Sequence, residues 1–266
     1  MPAMPRPVPM VSVIVPAYRE APNLVPLTER VFRALCEAGI EGEMIVVDDN
    51  SQDGTETVIE ELAERFPIRL VVRRSERGLS GAVLRGFAEA RADRFVVLDA
   101  DLQHPPEAIP RMVEALNDRS CDFVLGTRYG EGGSVASEWP RLRRLISRLL
   151  ALAARPLAPV SDPMSGFFAL PRRTWKRAER LDPLGYKIAL ELLVKARCRH
   201  IREVPIRFGV RAGGRSKARL RTGWQYFRHL IRLYRFRVPW MSRIVAGLIL
   251  LTAVWSVLRL LAGHPS

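Results

Sequence analysis

Two aspartates two positions apart, Asp99 and Asp101, follow the apolar run FVVL in the stretch FVVLDADLQH. Carboxylates at i and i+2 at a strand end can share one hard divalent cation, and Gln103 offers a further oxygen. Magnesium or manganese held there would bridge a nucleotide's phosphates and stabilise the charge on a departing diphosphate. A second acidic pair, Asp48 and Asp49, closes the run MIVV and could hydrogen-bond a ribose or a base. A D-x-D alone recurs by chance, so its weight comes from its place behind a buried strand. Neither a Walker A sequence nor G-x-G-x-x-G occurs, which argues against P-loop and dinucleotide-binding chemistry. His104, His200, His229 and His264 show no metal-ligand spacing, and His104, beside the D-x-D, reads as a loop residue. Cys36, Cys121 and Cys198 form no C-x-x-C pair, which argues against a disulfide framework or a structural zinc site.

The elements that must present these carboxylates alternate along the first hundred residues. VSVIVPAY (Val11–Tyr18) reads as a buried strand, and Asn23 to Ala38 as a helix with Leu24, Leu27, Val31, Phe32 and Leu35 on one stripe. MIVVDDNS (Met44–Ser51) is a second strand, Thr55 to Phe66 a helix, and Ile68–Val72 a third strand. Gly81 to Arg91 is helical again before the strand FVVLDAD, Phe95–Asp101. DFVLGTRY (Asp122–Tyr129) reads as a further strand. Apolar, β-branched strands alternating with helices predict an α/β fold, a mostly parallel sheet with helices on both faces. Ligands of such sheets sit beyond the carboxyl ends of the strands, where Tyr18, Glu20, Asp48, Asp49 and Asp99 to Gln103 fall.

Charge divides the chain. It has 266 residues with 42 Lys and Arg against 28 Asp and Glu, a net of +14. Residues 1–120 hold 14 basic and 20 acidic side chains, a balance of −6, whereas residues 121–243 hold 27 and 8, a balance of +19. A hydrophobic content of 48% excludes general disorder. The basic half calls for an anionic partner: nucleic acid, a phosphate-bearing substrate or an anionic membrane surface. A nucleic-acid-binding protein would leave the D-x-D and the apolar C-terminus without a role.

The motifs VSVIVPAYREAPNL, IVVDDNSQDGT, RGLSGAVLRGF, VLDADLQHPPE, GTRY, WPRLRRLIS, DPMSGFFAL, GYKIALELL and VPIRFGVRAGGRSK stand in this order. Together they resemble the dolichyl/polyprenyl-phosphate mannosyltransferase branch of glycosyltransferase family 2, from residue 11 to about 237. The resemblance implies a GT-A fold that moves mannose, with inversion, from GDP-mannose to a dolichyl or polyprenyl phosphate at the cytosolic membrane face. Branches differing in donor, such as UDP-glucose or UDP-N-acetylglucosamine, are the alternative within the family. It also implies donor-binding roles for Pro16, Tyr18, Glu20, Val47, Asp49, Asp99, Ala100, Asp101, Gln103, Lys187, Arg211 and Lys217. Asp99, Asp101 and Gln103 would hold Mg2+ or Mn2+, and Arg128, Arg143 and Ser147 the acceptor phosphate, with Asp101, Arg128 and Arg143 at the reacting groups. The physical chemistry agrees: a phosphate monoester, with a second pKa of about 6, is an anion near neutrality and needs no strong base. Sugar-polymerising relatives attack with a hydroxyl and use T-E-D and Q-x-x-R-W motifs. This chain has no T-E-D, and Gln225-x-x-Arg228 is followed by His229.

The C-terminus carries a different signal. Ile244 to Leu258 contain no charge, and Leu260–Ala262 continue the apolar character past Arg259. This span of about 19 residues nearly matches the ~20 that cross a bilayer, with a buried or interfacial helix as the other reading. Arg235, Arg237 and Arg243 before it would keep the bulk of the chain cytoplasmic. Arg141–Ala154 and the segment from Leu220 are amphipathic; in the latter Leu220, Trp224, Phe227, Ile231 and Tyr234 form one stripe beside Arg221, Arg228, Arg232 and Arg235. The expected organisation is a disordered lead-in over 1–10, a GT-A catalytic domain over 11–218, an interfacial helix over 219–239 and a single-pass membrane helix over 240–262.

Overall fold

The computed structural model describes residues 9–75, 77–129, 134–135, 152–182, 187–209 and 220–238. Arg143, Ser147, Arg211, Lys217, nearly all of the lead-in and of Arg141–Ala154, and the apolar span from Ile244 lie outside them. Among the described residues, no helix is long and apolar enough to cross a membrane.

The first half folds as three strands with helices between them: β1 (Val11–Ala17), α1 (Ala21–Glu37), β2 (Gly42–Asp48), α2 (Thr55–Ala63) and β3 (Ile68–Val72). α3 (Leu79–Glu89), β4 (Arg94–Val97), α4 (Ile109–Ala115) and β5 (Phe123–Thr127) follow. β6 (Ser134–Val135) belongs to a small second sheet. Then come β7 (Phe168–Pro171), α5 (Arg172–Arg177), α6 (Ile188–Lys195), β8 (Ile201–Pro205), β9 (Arg207–Phe208, the partner of β6) and α7 (Leu220–Arg237).

The main sheet has seven strands in the order β3-β2-β1-β4-β7-β5-β8. Its pairs are parallel except at β7, which runs antiparallel to both β4 and β5. The alternating pleat sends β1 side chains to two cores. Val11, Val13 and Val15 pack with Leu24, Leu27 and Val31 of α1 and Met112 of α4. Ile14, on the other face, packs with Val83 and Phe87 of α3, Leu190 and Leu193 of α6, and Leu230 and Leu233 of α7. A strand covered on both faces is apolar along most of its length, which is why β1 and β2 carry apolar runs rather than alternation, and the buried polar residues Ser12 and Glu43 hydrogen-bond each other at 2.7 Å.

From β1 the chain order steps outward to β2 and β3 on one side and to β4 on the other, which makes the β1/β4 boundary a topological switch point. β1 pairs with β2 along its whole length, from Val11–Gly42 to Ala17–Asp48, but with β4 only from Ser12–Phe95 to Ile14–Val97. Pro16 occupies the resulting gap. The Ile14 carbonyl accepts from Leu98 N–H at 3.2 Å, so the nitrogen of Pro16, two residues on, faces the same side, past the last paired residue of β4. A proline is tolerated in this inner strand because its missing N–H falls where the sheet splits.

The structure corrects one expectation and adds two features. The fourth strand stops at Val97 rather than Asp101, because β4 diverges from β1 and the D-x-D falls on the turn beyond it. The antiparallel β7, not anticipated, is inserted between β4 and β5. In α7 the packed face is not the stripe read as interfacial: Tyr226, Leu230 and Leu233 are buried, whereas Phe227 is 51% and Ile231 43% exposed. The i, i+4, i+7 set one residue further round meets α6 instead, which leaves a second apolar stripe outward.

Candidate active site

At the ends of β1 and β2 the loops are held by acidic side chains bonded to backbone. Asp48 accepts from Ser51 N at 2.8 Å and from the Ser51 hydroxyl, whose oxygen in turn accepts from Arg19 N at 2.8 Å. Asp53 joins the same loop to α1 through Ala21 N at 3.2 Å and to α2 through Thr55 Oγ1 at 2.7 Å. Asp49 accepts from Gly78 N at 2.6 Å and from Arg73 Nη1 at 2.8 Å, which fixes the β3–α3 loop. Burial raises the Asp49 pKa, with the Gly78 N–H and Arg73 opposing. Gly78 needs its freedom, since its φ is +136°. The guanidinium groups of Arg19 and Arg77 each lie over the Tyr18 ring, 5.4 Å from its centroid. Glu20 accepts from Asn23 Nδ2 at 2.6 Å.

Backbone strain gathers at the same edge. Arg19, Asn50, Gln52 and Leu102 have φ between +54° and +63°, one or more just past each of β1, β2 and β4. Such conformations persist where the surroundings over-determine them and cluster at functional sites.

The D-x-D turn is built around a buried imidazole. Asp99 N donates to His104 Nδ1 at 3.2 Å, and Asp101 Oδ1 accepts from Gln103 N at 3.2 Å. His104 is 2% exposed, between Phe167 and Phe208 with ring centroids 5.3 Å away. Burial lowers its pKa to about 4, so at neutral pH the ring is uncharged and Nδ1 is an acceptor. It shapes the turn rather than moving protons. Gln103 Nε2 donates to the Gly209 carbonyl at 3.1 Å, which ties the turn to the segment after β9. Gly166 packs so close that a Cβ there would lie 3.1 Å from Asp99 Oδ2, and the carboxylate would have to give by a few tenths of an ångström.

The donor chemistry of this turn suits a hard cation. Asp99 and Asp101 are half-buried oxygen donors, and among the described residues no cluster of three or more His, Cys, Asp or Glu side chains offers a closed metal cage. Magnesium and manganese are commonly held this way, by one or two carboxylates with phosphates and water completing the shell.

Across the crevice, β5, β7 and α6 bring cations together. Arg128, just past β5, forms a bidentate pair with Asp162: Nε to Oδ2 at 2.6 Å and Nη2 to Oδ1 at 2.8 Å. Asp162 is fully buried and Arg128 9% exposed, with the guanidinium also over Tyr129 and Phe208. Burial would lower the Arg128 pKa, but Asp162 outweighs it and leaves it raised. Lys187, at the start of α6, donates from Nζ to the Met164 carbonyl at 2.6 Å. Its pKa is lowered to about 8, first by burial and then by Arg128, against the pull of Asp99 and Asp162. The charges of Asp99, Arg128, Asp162 and Lys187 therefore feel one another across a single site.

Of the residues singled out in the sequence, Pro16, Tyr18, Glu20, Val47, Asp49, Asp99, Ala100, Asp101 and Gln103 assemble along one edge of the sheet, with Lys187 and Arg128 opposite. Asp49 is engaged with Arg73 and Gly78 rather than standing open. Asp162, the organising role of His104, and Arg73 escaped sequence reasoning. Only the D-P-M-S-G run around Asp162 carried a signal that could have found the first.

A mostly parallel sheet that opens beside a strand-end D-x-D defines the GT-A class of nucleotide-sugar enzymes. Solved structures agree on the fold. Glucosyl-3-phosphoglycerate synthase from Mycobacterium tuberculosis, in complex with Mn2+, UDP and glucosyl-3-phosphoglycerate, superposes with a TM-score of 0.60 at 22% identity, over 86% of this chain and 80% of that one. The profile of Glycosyl transferase family 2 matches residues 12–177. Proteins named dolichol-phosphate mannosyltransferase are similar over most of the chain. That of Mycosarcoma maydis is 47% identical over 93% of this chain and 88% of its own, and that of Saccharomyces cerevisiae 45% over 93% of both. The relative from Pyrococcus furiosus is 45% identical over 85% of this chain and 64% of its own length. The chain belongs to glycosyl transferase family 2 and is a glycosyltransferase.

Proposed function

We propose that this enzyme transfers mannose, with inversion, from GDP-mannose to a dolichyl or polyprenyl phosphate at the cytosolic face of a membrane, releasing GDP. The observation that carries the proposal is that Arg128 and Lys187 lie near enough to Asp99 of the D-x-D turn to feel its charge. The names and coverage of the fungal relatives support mannose and a lipid phosphate as the transferred group and acceptor.

In this reading the residues around Tyr18 and Asp49 receive the nucleoside, and Lys187 offsets the donor diphosphate. Asp99, Asp101 and Gln103 hold Mg2+ or Mn2+, which supplies charge neutralisation at the leaving diphosphate. Arg128, oriented by Asp162, faces the acceptor phosphate; a guanidinium suits that anion through its directional N–H donors. Arg143 and Ser147 for the acceptor, and Arg211 and Lys217 for the diphosphate, complete the set by resemblance. The chain's task is to place two anions against each other and neutralise them, since the acceptor is already ionised. No side chain has to remove a proton, and His104, with Nδ1 occupied and a pKa of about 4, is not arranged to do so.

The outward stripe of Phe227 and Ile231, flanked by exposed Arg228 and Arg235, suits an anionic bilayer surface. The apolar span from Ile244 would then anchor the chain.

The test is donor transfer by the purified full chain, with dolichyl phosphate, Mg2+ or Mn2+, and radiolabelled GDP-mannose. Label should enter an organic-extractable product. Transfer from UDP-glucose or UDP-N-acetylglucosamine, with none from GDP-mannose, would sink the mannose assignment and leave the lipid-phosphate reaction.

A further inference from the structure

Between α6 and α7 lies a cavity of about 180 Å³ whose walls include Arg180, Asp182, Glu191, Lys195, His229 and Arg232. Two polar atoms there have no hydrogen-bond partner among the described residues: Glu191 Oε2 on α6 and His229 Nε2 on α7. Both side chains are deeply buried, Glu191 at 1% and His229 at 5% exposure. Buried polar atoms are nearly always satisfied by protein or by ordered water. We propose that this cavity is a water-binding site, in which ordered water joins Glu191 Oε2 to His229 Nε2 and fastens α7 to α6.

The lining argues for water over an ion. Glu191 Oε1 already accepts from Lys195 Nζ at 2.6 Å and from Asp182 N at 2.8 Å. Arg232 Nη1 donates to Asp182 at 2.6 Å, and Lys195 Nζ also donates to the Arg180 carbonyl at 2.5 Å. Each acid in the wall is thus already paired with a base, and the third base, Arg180, is exposed to solvent, so a neutral ligand that both donates and accepts fits the two remaining atoms. Size agrees, since a water occupies about 30 Å³ of liquid and needs at least two polar partners. Burial lowers the His229 pKa, with Glu191 and Asp182 opposing and Lys195 and Arg232 assisting, so the ring is neutral near pH 8. A neutral ring presents Nε2 as either donor or acceptor, and water serves both.

Wet and dry cavities predict opposite signs for one substitution. In a dry cavity the unmatched imidazole is a burden, and His229→Leu would raise the melting temperature. In a hydrated one the same change strands Glu191. The full chain in detergent at pH 8 should then lose about 3 °C. His229→Gln, which restores a polar end, should recover at least half of that loss. A rise with leucine, or equal losses with leucine and glutamine, overturns the proposal. In the unmutated protein, magnetisation transfer from a long-lived water to the His229 ring protons is expected, and its absence overturns the proposal even where the variants fail to fold.

Discussion

On the β1–β2–β3 side of the crevice, Asp48, Asp49 and Asp53 each accept from a backbone N–H, of Ser51, Gly78 and Ala21 respectively. On the β5–β7 side, Arg128 and Asp162 are buried against each other, and Lys187 is desolvated beside them. The first side uses charge to fix loop shape, as a pocket for a nucleoside requires. The second holds charge in a low-dielectric setting, where a guanidinium or ammonium acts more strongly on an incoming anion. In the proposed reaction the first side would serve recognition and the second neutralisation, a division that follows the acidic and basic halves of the sequence.

The largest expected effect lies between the two sides. Asp101→Ala should lower kcat/KM for transfer by about a thousandfold. Turnover within tenfold of the unaltered enzyme would remove Asp101 from the metal site. Next is the buried pair. Asp162→Ala leaves Arg128 uncompensated and should cost about 3–5 kcal/mol of unfolding free energy. Asp53→Ala, on the loop-fixing side, should cost nearer 1 kcal/mol in the same denaturant titration. Equal losses would erase the contrast.

Lys187 sharpens the comparison through pH. With a pKa of about 8 it is charged at pH 7 and largely neutral at pH 9. The KM for the nucleotide sugar should therefore rise about tenfold between those values, while Lys187→Arg should keep it flat. A KM that stays level in the unaltered enzyme would separate Lys187 from the diphosphate. The smallest effect is expected at the outer stripe of α7. Phe227→Ser with Ile231→Ser should change stability by no more than about 0.5 kcal/mol per site, yet weaken cosedimentation of residues 1–239 with anionic vesicles. Undiminished cosedimentation would assign that stripe elsewhere.

The first half of the fold was legible because each buried strand is an unbroken β-branched run that ends on acidic or turn-forming residues. That pattern placed Tyr18, Asp49 and Asp99 at one edge before any coordinates. β7 was not legible: four residues, FALP, follow the loop run DPMSGF with no periodicity of their own. Asp162 was missed because a single aspartate in a loop has no spacing to read, and its partner lies 34 residues earlier. In α7, two adjacent apolar stripes share the helical period, so amphipathicity alone could not say which one meets α6. The burial of Tyr226 and Leu233 decides it.

The place of β7 also sets an order of assembly on the ribosome. β1 to β4 can complete their mutual pairing from the first hundred residues, whereas among the described strands β5 joins β4 through β7, about forty residues later. Until then β4 presents an open edge, the kind of surface that recruits stray strands and chaperones. The nascent chain therefore carries its carboxylate turn well before the strand that brings Arg128 can dock. An enzyme released short of Phe168 would have half a site and a sticky border rather than a weaker version of the whole.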